Sequence, residues 1–387
     1  MCRARQASRA AVANAPTDCP PTITSPAVGV SRPLASASQV DLPLPEGPRS
    51  SKGFEMDRPI TEPPPPGRTA RFAPDFGQRV LLTVDTEEEF DWSGPFSRDG
   101  HGLAHLPAIA RFQEFCDDRG VSPVYLVDWP IVNDPGAVEI IGAAVRDGRA
   151  EVGIQLHPWV NPPFEEEVSV RNSFAGNLPP LLERAKFMLL RDRIAEAFGV
   201  TPMIYRAGRY GLGPETARLL RDAGVAIDSS VRTNYDYTAG HGPDYTRHPL
   251  EPYWVDEERS LLELPLTTVH HGLLRKQGRA IQRLAAGIPR LTGLLSRLGL
   301  LERIALTPEG VSAREAIKGI DMAIDDGLPV LVLSFHSPSL AVGHTPYVRD
   351  EAGLDRLYGW FDRVYDYLEM RGIEPTTVRD IIAATGR

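Results

Sequence analysis

The sequence predicts an α/β chain folded as a distorted (β/α) barrel behind a disordered N-terminal tail. Three observations carry this. Short apolar runs alternate with helical periodicity from about residue 78 onward, polar residues recur at the ends of several runs, and residues 1–70 lack the composition of a core. Strand–helix repetition over most of the chain requires a mainly parallel sheet with covered faces. Polar groups at many strand ends favour a barrel, where every strand feeds one mouth, over a doubly wound sheet, whose site lies at a single reversal. Gly208, Gly211 and Gly213 follow a strand, but their spacing does not match a dinucleotide cradle.

Residues 1–70 hold 13 of the 36 prolines and one aromatic residue, Phe54. Such a stretch buries too little apolar surface to offset its ordering entropy. The expected organisation is a Pro/Ala/Ser-rich leader over residues 1–75 and a catalytic barrel over 76–387. Arg3, Arg5 and Arg9 have no apolar h-region behind them, so no secretory signal is read and a cytoplasmic location is expected.

Within the barrel, residues 80–85 form a buried strand, and residues 106–119 repeat apolar positions at helical spacing with Pro107 suited to the first turn. Residues 123–127 are the next strand, 135–146 a helix and 151–156 the third strand. A helix follows over 178–198, then a strand at 202–205, a helix at 214–223 and a strand at 226–228. Residues 261–264 and 328–335 are further strands, 352–371 a final helix and 373–377 a last short strand. Residues 280–303 set Ile281, Leu284, Ile288 and Leu291 against several arginines, which reads as a basic amphipathic helical insertion. It serves either as a packing helix or as a surface for a membrane or partner.

The formal net charge of -9 argues against a nucleic-acid surface, and no apolar run approaches the length that spans a bilayer. Cys2, Cys19 and Cys116 define neither a thiol metal site nor a disulfide framework. The chemistry is concentrated at strand ends. Asp85 and Glu87 are two apart and share a face, as do Gln155 and His157. Carboxylates and an imidazole brought to one mouth are normal ligands for Zn²⁺ or another divalent ion, with a spare carboxylate to take a proton from water. Acid triplets such as Glu87–Glu88–Glu89 also serve as solvated caps, and a lone histidine is often structural. Arg206 and Arg209 suit either a bidentate carboxylate contact or a surface ion pair. Asp228 either orients Arg206 or a base, or caps the next turn. His336 follows the most apolar run and is placed to act as an acid beside a metal. Trp159 and Tyr210 form either a stacking platform for a sugar ring or a rim of the core.

Taken in order, these segments resemble the polysaccharide deacetylase family, also called the NodB homology or carbohydrate esterase family 4 group, and within it the WalW-like branch. The resemblance covers residues 78–382. It implies a distorted (β/α) barrel, a divalent metal, usually zinc, and removal of N-acetyl or O-acetyl groups from a carbohydrate. Thr83-Val-Asp85-Thr-Glu87 is similar to the first motif, with Asp85 implied as base and Glu87 as acidic ligand, Thr86 standing in the usual second-aspartate place. Residues 151–159 are similar to the second motif, with His157 as ligand and Gln155 where the family's first histidine stands. Arg206 to Gly211 is similar to the third, which implies one side of the groove, with Arg206 in the catalytic group and Arg209 and Tyr210 meeting substrate beside Trp159 of the second motif. Asp228-Ser-Ser230 and Leu333-Ser-Phe-His336 are similar to the fourth and fifth, with Asp228 in the catalytic group and His336 as acid. Two other functions stay open: a non-catalytic carbohydrate-binding descendant, and a hydrolase of a non-peptide C–N bond in a small molecule.

Overall fold

The computed structural model describes residues 58–91, 94–275, 278, 281 and 300–386. The leader up to residue 57, and all but a few residues of the insertion expected near 280–303, lie outside the described residues. The strands are β1 (Arg79–Thr86), β2 (Val124–Val127), β3 (Glu151–Leu156), β4 (Ile204–Ala207), β5 (Ile227–Asp228), β6 (Tyr253–Trp254) and β7 (Leu262–Glu263), followed by β8 (Thr268–His271), β9 (Glu302–Ala305), β10 (Val330–His336) and β11 (Glu374–Pro375). Nine form one curled sheet in the order β10-β1-β2-β3-β4-β5-β7-β6, with β11 beside β1. Strands β8 and β9 pair separately. All ladders of the large sheet are parallel except β6–β7. The helices α1 (Pro107–Asp118), α2 (Trp129–Val132), α3 (Pro135–Arg146), α4 (Pro180–Phe198), α5 (Thr216–Asp222), α6 (Ala313–Asp325), α7 (Glu351–Met370) and α8 (Val378–Ala384) complete the expected distorted barrel.

The period of two along each strand divides the core. Val80, Leu82 and Val84 of β1 join the layer that packs with helix residues such as Phe112, Ile141 and Phe361. Leu81 instead meets Val124, Leu126, Ile204, Ile227, Leu262, Val330 and Val332 in a second cluster inside the curl. Each such aliphatic side chain contributes about 1.5–3 kcal/mol on burial. Gly153 of β3 is required there. A Cβ at this position would stand 2.5 Å from Leu126 Cδ2 and 2.6 Å from Ile204 Cγ2.

The interior changes character along the strands. Leu81 is followed on the same face by Thr83 and Asp85, Val332 by Ser334 and His336, and Ile204 by Arg206. The apolar interior thus gives way to a polar layer at the C-terminal ends of the parallel strands. Register aligns this layer, with Asp85 opposite His336 and Gln155 opposite Arg206.

Residues 58–75, counted above with the leader, are packed. Ile60 is 2% exposed, its carbonyl accepts from His248 Nε2 at 3.2 Å, and Ala70 N–H donates to Pro252 O at 2.8 Å. The proline-rich composition conceals two apolar anchors, Ile60 and Ala70, that pay for ordering this segment.

Candidate active site

A cavity of about 320 Å³ opens at the polar ends of the strands. Asp85, Glu87, Gln155, His157, Glu309 and His336 line one part, and Phe90, Phe96, Trp159, Arg209, Tyr210 and Arg232 another. Its innermost polar anchor is Arg206, which is 0% exposed. All five guanidinium N–H groups have partners. Nη1 donates to Asp85 Oδ1 and to Ser334 Oγ at 2.9 Å, Nη2 to Thr83 Oγ1 at 3.0 Å and Ser229 Oγ at 3.2 Å, and Nε to Ser229 O at 2.8 Å. The surface ion pair left open for Arg206 is therefore excluded.

Asp85 Oδ2 lies 3.7 Å from His336 Nε2, and His336 Nδ1 lies 2.6 Å from Glu309 Oε2. Burial alone would lower the His336 imidazole, but Glu309, Glu87 and Asp85 outweigh it and raise the pKa to about 10. Glu309 also accepts from Ser339 Oγ at 2.6 Å and from the His336 backbone N–H at 3.2 Å, which fixes the carboxylate against the ring.

The acid triplet is not a solvated cap. Glu87 and Glu88 are 2% and 0% exposed, and burial raises the Glu87 carboxyl to about 8. Glu88 lies behind the cavity. Its Oε1 accepts from Trp159 Nε1 at 2.8 Å and its Oε2 sits 2.9 Å from His157 Nδ1. Its own N–H donates to Asp128 Oδ2 at 3.0 Å. Burial raises both carboxyls, Asp128 well above the usual carboxylate range. With Glu88 accepting, the His157 proton is held on Nδ1 and the Nε2 lone pair faces the cavity. Trp159 stacks on the imidazole at 4.4 Å and is 2% exposed. The indole therefore supports His157 at the cavity wall rather than forming an exposed platform.

Two sets of groups surround His157. Glu88, Asp128 and His157 offer ligand atoms within 4.8 Å of one another, a buried cluster able to chelate a metal ion. On the cavity side, Nε2 is 3.4 Å from Glu87 Oε2 and 3.3 Å from Gln155 Nε2, and Gln155 Nε2 is 3.1 Å from Glu87 Oε2. Three ligand atoms on one tetrahedral Zn²⁺, each at about 2.0–2.2 Å, stand about 3.4 Å apart, so these separations are those of a ligand face. Gln155 Oε1 is buried with no hydrogen-bond partner among the described residues. Turning the amide over would bring that oxygen into the face. The donor set fits a divalent ion, with an amide oxygen where a stronger ligand would stand.

Asp228 does not reach this mouth. Ile227 belongs to the interior cluster, so Asp228 faces the opposite side of β5, in register with Tyr205 of β4 and Glu263 of β7. Its Oδ1 accepts from Ser230 Oγ at 2.6 Å, while its Oδ2 and the Oε2 of Glu263 are buried without a hydrogen-bond partner among the described residues. Burial raises both acids. Ser229, the next residue, is the one that hydrogen-bonds Arg206, and Asp228 meets the guanidinium only through charge, which opposes the effect of burial on its carboxyl. Arg209 and Tyr210 have positive φ, 55° and 62°, a conformation that is costly for side-chain-bearing residues, and both line the cavity.

Sequence reasoning missed Asp128, Glu309 and Arg232, and used Glu88 only as part of a triplet. Asp128 had a signal: it directly follows a strand and precedes Trp-Pro, the position of a helix cap, and its Oδ1 accepts from Ile131 N–H at 3.0 Å. Glu309 and Arg232 lie in connections whose approach to the mouth is set by the fold.

No protein-family profile matches the chain, and no curated protein does. Solved structures show a distant likeness. A family 4 acetyl xylan esterase from Clostridium thermocellum is 16% identical, with 80% of this chain and 92% of that one covered at a TM-score of 0.39. The chitin deacetylase of the fungal pathogen Colletotrichum lindemuthianum is 13% identical, with 83% and 91% covered at 0.40. A CE4 family pseudoenzyme from Bacillus anthracis is 10% identical, with 79% and 66% covered at 0.38.

Proposed function

We propose that the protein is a metal-dependent hydrolase that removes acetyl groups from an N- or O-acetylated carbohydrate. The observation that carries this reading is the ligand face of Glu87, Gln155 and His157 beside the Asp85–His336 pair in one cavity. Glu87, Gln155 and His157 would hold a divalent ion, proposed as zinc, and it would supply Lewis-acid polarisation of the acyl carbonyl.

The chain's own residues supply the proton chemistry. Arg206 orients the Asp85 carboxylate, which takes the proton of the attacking water. His336, held charged by Glu309, gives a proton from Nε2 to the departing amine or alkoxide. Phe90 and Phe96, backed by Trp159, form an apolar wall for a sugar ring and exclude water from the reacting bond.

A second reading, a non-catalytic carbohydrate-binding protein, is favoured by one observation. The Gln155 amide nitrogen already touches both Glu87 and His157, so the amide satisfies these groups without a cation. Metal content of the purified protein and acetate release from acetylated oligosaccharides, compared for wild type and Gln155→His, separate the two. Bound zinc with acetate release that rises in the variant supports the hydrolase. No bound metal, and no gain in metal affinity or turnover with histidine at 155, would end it. Glycan binding unchanged by Asp85→Asn would then support the second reading.

A further inference from the structure

The cavity carries charge of both signs. Asp85, Glu87 and Glu309 line it, and so do Arg209 and Arg232. Among the described residues, no carboxylate lies within 4.0 Å of either guanidinium. Arg209 Nη1 instead donates to Ser173 Oγ at 2.5 Å and Val170 O at 3.4 Å, and Arg232 Nη1 to Tyr237 Oη at 3.4 Å. Aromatic rings hold both in place. Arg209 sits 4.2 Å from the Phe174 ring centroid and 5.0 Å from that of Phe96; Arg232 sits 4.0 Å from Tyr235 and 5.3 Å from Tyr210.

These contacts position the two cations without neutralising them. The other basic side chains of the lining, His157 and His336, each face a carboxylate, Glu88 and Glu309. A partly desolvated guanidinium with no counter-ion is an incomplete bidentate site, and an oxyanion presenting two oxygens, carboxylate or phosphate, is what its fork fits. The wall is also continuous with the reacting centre. Phe96, under Arg209, packs at 4.7 Å on Trp159, which stacks on His157. Burial raises the hydroxyl of Tyr210, which lies under Arg232; Arg232 opposes the rise and Asp85 adds to it, so both charges act on this side chain.

We propose that this cavity takes a sugar bearing an anionic oxygen group, carboxylate or phosphate, which Arg209 and Arg232 bind. That the sugar is also acylated rests on the hydrolase reading; the anion does not.

Isothermal titration of the full chain at low salt with glucuronate, glucose 6-phosphate and glucose tests it. At least one charged sugar should bind about tenfold to a hundredfold more tightly than glucose, with the preference shrinking at high salt. Arg209→Met and Arg232→Met should each remove most of that preference. Should either fail to fold, Arg209→Lys and Arg232→Lys keep the charge, lose the fork, and should weaken it several-fold. A preference for glucuronate assigns a carboxylate and one for glucose 6-phosphate a phosphate. Equal affinity for all three sugars, binding of none, or a preference that survives at both arginines would overturn the proposal. These titrations need no turnover. Anion binding without acetate release would retire the hydrolase and leave this inference standing, whereas acetate release from neutral glycans with no dependence on either arginine would do the reverse.

Discussion

Replacing Arg206 with methionine keeps most of the buried stem and removes the charge and all five donors. The variant leaves Asp85, 2% exposed, without its ion-pair partner, and Thr83, Ser229 and Ser334 without the donor they share. Breaking a buried pair from one side costs about 3–5 kcal/mol, because the remaining charge keeps its desolvation penalty. With a urea slope of about 2–3 kcal/mol per molar, the unfolding midpoint should fall by about 1–2 M. Arg206→Met/Asp85→Asn removes the stranded charge and should recover about half or more of the loss. Urea unfolding followed by tryptophan fluorescence reads both variants. A single-variant loss below about 1 kcal/mol, or a double variant no more stable than the single, would refute the view that this pair is a buried mutual dependence.

Three further predictions concern neighbouring groups. Gly208→Ala would set a Cβ 2.5 Å from both His157 Cδ2 and Leu156 O, so it should cost about 1–3 kcal/mol in thermal unfolding and weaken zinc binding in a competition titration. Glu309→Gln removes the strongest influence holding the His336 proton. Acetate release should fall about 10²–10⁴-fold and the alkaline limb of its pH profile should move to lower pH. Burial raises Glu183 from 4.5 to about 7, so the folded state binds this proton more tightly than the unfolded one. That contribution is complete below pH 4.5 and is lost as pH rises to about 7, about 3 kcal/mol in all, and urea midpoints at pH 5 and pH 8 should show Glu183→Gln without that slope.

The barrel was legible because its strands announce themselves twice, as apolar runs and as the polar residues that end them. Asp85, His157, Arg206 and His336 could be placed at one mouth because side chains two apart share a face and parallel strands start together. The same rule explains the failure at Asp228. Residues 226–228 do not reveal which of two adjacent residues turns inward, and the register of β5 gives that place to Ser229. Glu88 shows a different limit. Once β1 ends at Thr86 the alternation no longer predicts direction, and the chain turns Glu88 behind His157. Glu309 and Arg232 approach from connections, where no periodicity exists to be read.

The Arg206 network ties β1 to β4, β10 and the turn after β5. The residue pair most suggestive of catalysis is therefore also a structural clasp, and selection for folding alone would preserve it. A lineage of this barrel that gave up turnover would shed its metal ligands long before Asp85 and Arg206. Under the proposed ligand set, the identity of residue 155 would separate an active member from a retired one better than the persistence of the proposed base.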